Sequence, residues 1–220
     1  MKKKKKNFFS LKNLIEGKVI FFVLLVLFGF VVIFAILSYR PPLSFEDDDD
    51  ASMGPRNSLH TIRLFGDFTD QESKKYFDLF AKSYQDKKGS FDVNFILKSF
   101  PNEENKTSVD LANASECAQK QGFFWELAGL IYERQFLFSE YRLENQSNIS
   151  ILSSFTKEIK GMDNDKLNKC LNESAFQGSI DDDKKEAEKL NLKKSPVAFF
   201  DNQQLNSIEE AKKILEKKLK

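Results

Sequence analysis

The sequence predicts an α/β domain that contains a helical insertion and follows one membrane-spanning helix. Residues 59–100 show strand, helix and strand patterns in turn, residues 108–190 show helical patterns without a convincing strand, and residues 19–37 are uncharged and almost wholly apolar. A strand, a helix and a second strand joined by short connections form a parallel pair with a right-handed crossover. A chain of 220 residues is long enough for one such domain and its appendages.

The near-zero net charge of the chain hides an uneven distribution of charged residues. The total of 34 basic and 33 acidic residues gives +1, but residues 1–18 carry +6 and residues 41–220 carry −6. A nucleic-acid-binding domain carries a basic face on its folded part, so we expect no nucleic-acid partner. One histidine and two cysteines cannot supply a histidine-rich metal site or a zinc-binding cysteine cluster, and we predict neither a metal nor a cofactor.

The apolar segment Val19–Leu37 predicts a transmembrane helix. Its 19 residues give a helix about 28 Å long, close to the hydrocarbon thickness of a bilayer. The apolar core of a cleaved signal peptide is shorter and ends in a small-x-small site, which the residues after Leu37 do not offer. We therefore predict an uncleaved signal anchor over residues 19–38.

Lysine placement predicts the topology of this anchor. Seven lysines lie in residues 1–18, and the cytoplasmic flanks of membrane helices are enriched in lysine and arginine. We expect residues 1–18 to form a cytoplasmic head and residues 58–220 to form a domain on the extracytoplasmic side of the cell membrane, in an extracellular or periplasmic space. Residues 39–57 contain prolines and the run Asp47–Asp50, a composition that predicts a disordered linker.

The domain begins with the pattern of a βαβ unit. Residues 59–65 alternate between apolar and polar side chains as a strand does. Asp70 is a favourable N-cap for the helix that follows, and Gly89 is a favourable end for it. Residues 91–100 form the second predicted strand.

A helical insertion is predicted over about residues 106–192. Two helical patterns are broken at Gly122, and three shorter helices follow them. After the insertion come a short strand at 196–201, a partner strand at 203–205, and a final helix whose S-x-x-E capping box begins at Ser207. The three shorter helices are Ile149–Ile159, Lys166–Glu173 and Asp182–Leu190.

Four stretches of the domain, in this order, resemble the DsbA-like family of extracytoplasmic thiol–disulfide proteins. They are Thr61–Phe68, Phe95–Pro101, Ala114–Gln135 and Lys194–Phe200, and the third is the most specific because it follows the family pattern A-x-x-C-A-x-x-Q-G-x-F-W. The resemblance implies a thioredoxin fold, βαβ then ββα, with an all-helical subdomain inserted after the second strand.

The resemblance breaks at the catalytic motif. Where redox-active members carry C-x-x-C, this chain reads Asp70-Gln71-Glu72-Ser73. Dithiol chemistry needs a thiolate that attacks a disulfide and a second sulfur that resolves the mixed disulfide. A carboxylate and a hydroxyl cannot take these roles, so neither catalytic position is intact. We predict that the helix geometry is kept and the redox chemistry is lost.

The two cysteines, Cys117 and Cys170, lie in the insertion, where some members of the family have a second, non-catalytic pair. The resemblance therefore implies a structural disulfide. Such a bridge closes a loop of about 54 residues and stabilises the domain by roughly 4 kcal/mol. The alternative is that this pair is itself the redox centre, although it lacks the C-x-x-C spacing.

A peptide-binding groove is the functional feature that the resemblance leaves in place. It implies a cis proline at Pro196 and a groove bordered by the main chain of Ser195, Pro196 and Val197. An extended peptide can add to such a main chain as a β-strand, which needs no cysteine. The alternative is that Pro196 only shapes the start of its strand and the groove is vestigial.

Other conspicuous residues favour structural roles. His60 has no identifiable nucleophilic partner. In some thioredoxin-fold transferases a hydroxyl at the start of this helix contacts the sulfur of glutathione, but the acidic neighbours of Ser73, Asp70 and Glu72, disfavour a thiolate there. The runs Asp47–Asp50 and Asp181–Asp183 lack the ligand pattern of a calcium loop and predict solvated charge. The segment Phe123–Trp125 predicts core of the insertion.

These patterns together predict a redox-inactive, membrane-anchored protein. We expect it to hold extended or unfolded polypeptide, to assist the folding of envelope proteins, or to dock an envelope protein partner. The competing hypothesis is an enzyme, a thiol–disulfide oxidoreductase that uses Cys117 and Cys170 or a thiol supplied by a partner. Whether the chain is an enzyme stays open at this point, because the family is catalytic but its C-x-x-C motif is absent.

Overall fold

The computed structural model divides the chain into two compact units, residues 1–42 and residues 43–220. The described residues are 21, 23–34, 43–86, 92–139, 146–173 and 177–218.

In the first unit, the described residues are α-helical and their large apolar side chains are exposed. None of the helices in the described stretches is both long enough and apolar enough to cross a bilayer. The head, residues 1–18, and both ends of the predicted span Val19–Leu37 lie outside the described residues. The signal anchor over residues 19–38 therefore stays a prediction.

The second unit is built on a mixed sheet whose described strands have the order β1–β3–β2–β4–β5. Strands β2 and β3 run parallel, and the other neighbouring pairs run antiparallel. The strands are β1 (Ser52–Met53), β2 (His60–Gly66), β3 (Val93–Ser99), β4 (Val197–Phe200) and β5 (Gln203–Leu205). This is the predicted βαβ unit followed by a ββα unit, so the α/β, thioredoxin-like fold class is confirmed.

Helices connect and cover this sheet. The first, α1, joins β2 to β3, and the last, α7, closes the domain; the predicted end of α1 at Gly89 lies outside the described residues. Between β3 and β4 the described residues form helices α2 to α6 and no strand, as predicted for the insertion. The helices are α1 (Gln71–Asp86), α2 (Lys106–Gln119), α3 (Phe124–Glu133), α4 (Asn148–Phe155), α5 (Asn164–Glu173), α6 (Gln177–Lys189) and α7 (Ile208–Lys218).

Aromatic side chains fill the space between the sheet, α1 and the insertion. Phe77 and Phe80 of α1 pack on Phe95 of β3, with ring centroids 6.3 and 5.1 Å apart. Trp125 of α3 lies 5.0 Å from the Phe95 ring and stacks on Phe77 at 6.2 Å. The prediction that Phe123–Trp125 belongs to the core is confirmed, and these contacts join the insertion to the sheet.

The prediction of a disordered linker over residues 39–57 is wrong from residue 43 onward. Residues 43–57, here called the strap, belong to the folded unit, which therefore begins before Ser58. Strand β1 of the strap pairs with the outer edge of β3, and Ala51 beside it is buried. Residues 39–42 lie outside the described residues.

A buried ammonium group holds the strap in place. The side chain of Lys98 in β3 has no solvent exposure, and its Nζ forms an ion pair with Asp50 of the strap. The same Nζ lies 3.0 Å from Glu186 and 3.6 Å from Asp183 of α6. It also donates a hydrogen bond of 2.6 Å to the carbonyl oxygen of Glu46. We call Lys98, Asp50, Asp183 and Glu186 the Lys98 cluster.

The Lys98 cluster corrects the prediction that both aspartate runs are solvated. Asp183 is buried and the Asp50 side chain is only 13% exposed, whereas Asp48 and Asp182 remain exposed. The physical reason is that an ammonium ion removed from water must be offset by nearby opposite charge. Burial acts to lower the pKa of Lys98, but the carboxylates of Asp50 and Asp183 outweigh it and raise that pKa.

Candidate functional site

A cleft of about 710 Å³ lies at the edge of the sheet where the parallel strands β2 and β3 end. Ligand sites in α/β folds are common at this edge, because the loops after neighbouring strands meet there. The loop after β2, the loop after β3, helix α6 and the segment before β4 all line the cleft. The lining residues are Asp67, Thr69, Asp70, Phe100, Pro101, Asn102, Glu103, Glu104, Lys184, Glu188, Leu192, Lys193, Lys194 and Ser195.

The two motif positions, Asp70 and Ser73, contact each other at the start of α1. Asp70 Oδ2 accepts hydrogen bonds from the Ser73 main-chain N–H at 2.7 Å and from Ser73 Oγ at 2.9 Å. This is an N-cap, which satisfies an amide that has no partner within the helix. Ser73 is fully buried and also accepts a hydrogen bond of 3.1 Å from the N–H of Asp67. The hydroxyl is therefore enclosed, and the carboxylate of Asp70 lines the cleft.

Asp67 fixes the loop between β2 and α1. Its Oδ1 accepts from Thr69 N at 2.7 Å and from Thr69 Oγ1 at 2.8 Å, and its Oδ2 accepts from Asn102 N at 3.0 Å. One carboxylate thus ties the loop after β2 to the loop after β3. This role of Asp67 is not visible in the sequence, because the spacing between Asp67 and Asn102 carries no local signal.

Neutral hydrogen bonds support the same loop from the insertion. Gln135 is buried, and its Nε2 donates to the carbonyl oxygens of Phe68 at 2.7 Å and Asp70 at 3.0 Å. Behind the loop, Tyr132 packs so closely that a Cβ at Gly66 would lie 3.2 Å from its hydroxyl oxygen. Burial, and next the Asp67 carboxylate, raise the pKa of Tyr132, so this hydroxyl stays protonated.

The three predicted groove residues divide between the cleft and the sheet. The Ser195–Pro196 peptide bond is cis, and Ser195 lines the cleft. Among the described residues, none forms a hydrogen bond with the main chain of Ser195. Val197 is instead paired opposite Phe65 in the sheet. The main chain at Ser195 is therefore the part that a bound peptide could pair with.

The other candidate residues lie apart from the cleft. Cys117 and Cys170 form a disulfide between α2 and α5, with Cα atoms 6.0 Å apart, and Cys117 is buried. His60 begins β2, and its Nδ1 lies 2.9 Å from Asp201 Oδ2. Across the described stretches, no group of histidine, cysteine and carboxylate side chains is arranged to hold a metal ion.

Comparisons with known proteins agree with this fold. The model of the family described as thioredoxin matches residues 47–217, while no curated protein matches the sequence. Oxidised BdbD from Bacillus subtilis superposes with a TM-score of 0.67 at 21% identity, over 82% of this chain and 99% of that one. The alpha-DsbA1 protein of Wolbachia pipientis gives 0.65 at 15% identity, over 80% and 93% of the two chains.

A third solved structure is the thiol–disulfide exchange protein alpha-DsbA2 of Wolbachia pipientis. It superposes with a TM-score of 0.61 at 14% identity, over 78% of this chain and 88% of that one. The family match covers the strap from Asp47 onward, the cleft and the insertion. The chain therefore belongs to the thioredoxin family and has the fold of its DsbA-like thiol–disulfide proteins.

Proposed function

We propose that this chain is a redox-inactive member of the family, anchored in the membrane, that binds extended polypeptide in the cleft on the extracytoplasmic side. The observation that carries the proposal is the pair Asp70 and Ser73 at the two positions of the catalytic thiols. Their side chains form an N-cap in place of a dithiol, and neither can form a mixed disulfide.

The cleft supports polypeptide as the ligand. Ser195 lines it, and no described residue forms a hydrogen bond with the Ser195 main chain. Extended peptides bind unpaired main-chain groups by β-strand addition. The enclosed hydroxyl of Ser73 and the capping carboxylate of Asp70 give this binding surface no group that can exchange disulfides. Assistance to envelope protein folding, or docking of an envelope partner, follows from the same mode of binding.

The competing function is thiol–disulfide exchange, which is what the name of alpha-DsbA2 states for that relative. In this chain it would have to use the Cys117–Cys170 bridge or a thiol from a partner. The bridge has one buried cysteine and lies outside the cleft. Reactive cysteines are accessible and lie where a thiolate is stabilised, so these features favour a structural bridge.

An insulin-reduction assay on the full chain in detergent separates the two functions. We expect no turnover by the wild type or by Cys117→Ser/Cys170→Ser. The variant Asp70→Cys/Ser73→Cys should gain turnover, because the two side chains already contact each other. Wild-type turnover that disappears in Cys117→Ser/Cys170→Ser establishes the oxidoreductase instead, and an inert Asp70→Cys/Ser73→Cys variant contradicts the assignment of the motif positions.

Polypeptide binding is tested with an unfolded, cysteine-free peptide labelled with fluorescein. We expect saturable binding to the full chain in fluorescence anisotropy. A version of the peptide that is N-methylated at alternate residues loses the main-chain donors of β-addition and should bind about tenfold more weakly. Equal binding of the two versions contradicts strand addition at Ser195.

The membrane anchor is tested by the accessibility of each side of the predicted span. Single cysteines introduced in the head, residues 1–18, should resist a membrane-impermeant thiol reagent in intact cells, whereas a cysteine introduced at Asn202 should react. Labelling of the head from outside contradicts the predicted orientation. Release of the protein by a carbonate wash contradicts the anchor.

A further inference from the structure

The carboxylate of Asp70 is satisfied on one side only. Its Oδ2 accepts both hydrogen bonds from Ser73, and no described residue donates a hydrogen bond to its Oδ1. The residue is half-buried and lines the cleft. Since a carboxylate has about four lone-pair sites, this group retains capacity for a cationic or hydrogen-bonding ligand.

No described residue forms an ion pair with Asp70; the nearby Lys75 of α1 is paired with Glu72, although the charge of Asp70 also contributes to its raised pKa. Lys184, the cleft lysine on α6, is committed to Glu103, with Nζ and Oε1 2.5 Å apart. Asp67 uses both of its oxygens within the loops. Glu104 adds an exposed carboxylate to the same cleft, and no described residue forms an ion pair with it. A ligand near Asp70 therefore meets a carboxylate that no described residue holds in an ion pair.

The cleft also holds two exposed lysines, Lys193 and Lys194, which attract acidic ligands and so oppose the effect of Asp70. Both lysines are long, flexible and exposed, and an ion pair made by such side chains is weakened by solvent and by lost side-chain freedom. Asp70 is half-buried and held in one orientation by its bonds to Ser73. A preorganised and partly desolvated charge contributes more to selection than a mobile, solvated one.

We propose that the cleft selects extended polypeptide segments that carry a lysine or arginine, and that the cationic group of this side chain binds Asp70. This inference rests on the proposed function, since it names the class of polypeptide for the same cleft. In this arrangement the peptide main chain pairs at Ser195 and one basic side chain reaches the start of α1. An acidic side chain in that position is repelled by Asp70, whereas Glu104 is exposed to solvent, which weakens its effect on the ligand.

The test uses short fluorescein-labelled peptides that differ only at the central residue, which is lysine, norleucine or glutamate. Fluorescence anisotropy with the full chain in detergent should show about fivefold tighter binding of the lysine peptide than of the norleucine peptide, and weaker binding of the glutamate peptide. Raising the salt concentration should reduce these differences.

Two isosteric variants locate the effect. Asp70→Asn keeps an N-cap oxygen and should bind all three peptides with the affinity that the wild type has for norleucine. Asp78→Asn removes a carboxylate of the same helix that pairs with Lys74 outside the cleft, and it should keep the wild-type preference. The retained norleucine affinity of Asp70→Asn shows that the cleft is intact.

The outcomes separate the inference from the proposed function. Equal binding of the three peptides by the wild type overturns the basic selectivity and leaves polypeptide binding standing. A lysine preference that survives in Asp70→Asn, or a loss of all binding in that variant, overturns the assignment to the Asp70 charge. If the wild type binds none of the peptides, the proposed function fails as well.

Discussion

Two groups of carboxylates in the folded unit differ in their surroundings, and only the first surrounds a buried cation. In the Lys98 cluster, Asp50, Asp183 and Glu186 surround an ammonium group that has no solvent exposure, and the Asp47 carboxylate lies 3.8 Å from the same Nζ. At the cleft, Asp70 and Glu104 have no basic partner among the described residues, and the loop that presents Asp70 is held by the neutral side chain of Gln135.

The difference shows what each set of charges contributes. A charge removed from water destabilises the fold unless it is paired, so the Lys98 cluster constrains the structure and draws the strap onto β3. A half-buried charge can stay ionised without a protein partner, because water or a ligand solvates it. The first arrangement serves folding, and the second leaves a carboxylate available for binding.

Removal of the buried cation should have the largest effect. Lys98→Met leaves the three carboxylates of the cluster without their counter-charge, and we expect it to lower the free energy of unfolding by about 3–5 kcal/mol. Urea unfolding of the full chain measures this through the fluorescence of its single tryptophan, Trp125. The control Lys106→Met, at a side chain that is 84% exposed, should change stability by less than about 0.5 kcal/mol. Equal stabilities of the two variants contradict the anchoring role of Lys98.

A second, smaller effect should appear in the pH dependence of stability. Glu116 of α2 accepts hydrogen bonds from Ser99 Oγ at 3.2 Å and Ser179 Oγ at 3.3 Å. Its pKa is raised from an ordinary value of 4.5 to about 7, chiefly by burial. The charge of Asp50 also raises this pKa, whereas the two hydrogen bonds and the charge of Lys120 lower it. Burial, and next the Asp50 charge, raise the pKa of the neighbouring Asp183, and the Glu116 charge adds to the rise.

The direction in which stability changes with pH follows from proton binding to Glu116. Between pH 4.5 and about 7, the unfolded chain has released the Glu116 proton and the folded chain retains it, so stability falls as the pH rises. Glu116→Gln removes this titration. We expect the variant to be more stable than the wild type by about 3 kcal/mol above pH 7 and to lose that advantage towards pH 4.5. Urea unfolding at several pH values measures the difference, and parallel curves for the two proteins contradict the assignment.

On the cleft side, removal of a neutral support should cost less than removal of Lys98. Gln135→Ala leaves the carbonyl oxygens of Phe68 and Asp70 without their donor, and we expect a loss of about 1–2 kcal/mol. Gln203 is exposed, and its side chain donates to Glu210 at 3.4 Å in a hydrogen bond that is also exposed, so Gln203→Ala is the matched control and should change stability by less than about 0.5 kcal/mol. A loss in Gln135→Ala as large as in Lys98→Met would remove the contrast between the two regions.

Features that depend on neighbouring residues were predicted from the sequence, and features that depend on distant partners were not. The βαβ unit, the helical insertion and the cap at Asp70 follow from patterns within a few residues of one another, and each is present in the structure. The strap was missed because its reason for ordering is distant. The counter-charge of Asp50 lies 48 positions along the chain, on Lys98.

The structure of β3 explains why the burial of Lys98 could not be predicted from the sequence. Val93, Phe95 and Leu97 alternate in the sequence, a pattern typical of a strand with one buried face, and Lys98 falls outside this alternation. Every residue of β3 is buried in the structure, because the strap and α6 cover the side opposite α1. A strand covered on both faces loses the alternation that sequence analysis uses. The contribution of Asp67 and Gln135 to the cleft was hidden for the same reason, since their partners are set by tertiary contacts.

The smallest expected effect is the sharpest test of the comparison. Asp70→Ala removes the N-cap and should lower the free energy of unfolding by about 1 kcal/mol, whereas Asp70→Asn keeps a capping oxygen and should cost only about 0.3 kcal/mol. The charge of Asp70 then contributes little to folding, as expected for a carboxylate available to a ligand. Urea unfolding followed by Trp125 fluorescence measures both, with Asp78→Asn as the control on the same helix. If Asp70→Asn is as damaging as Lys98→Met, Asp70 is a structural charge like those of the Lys98 cluster, and the cleft has no carboxylate to spare for binding.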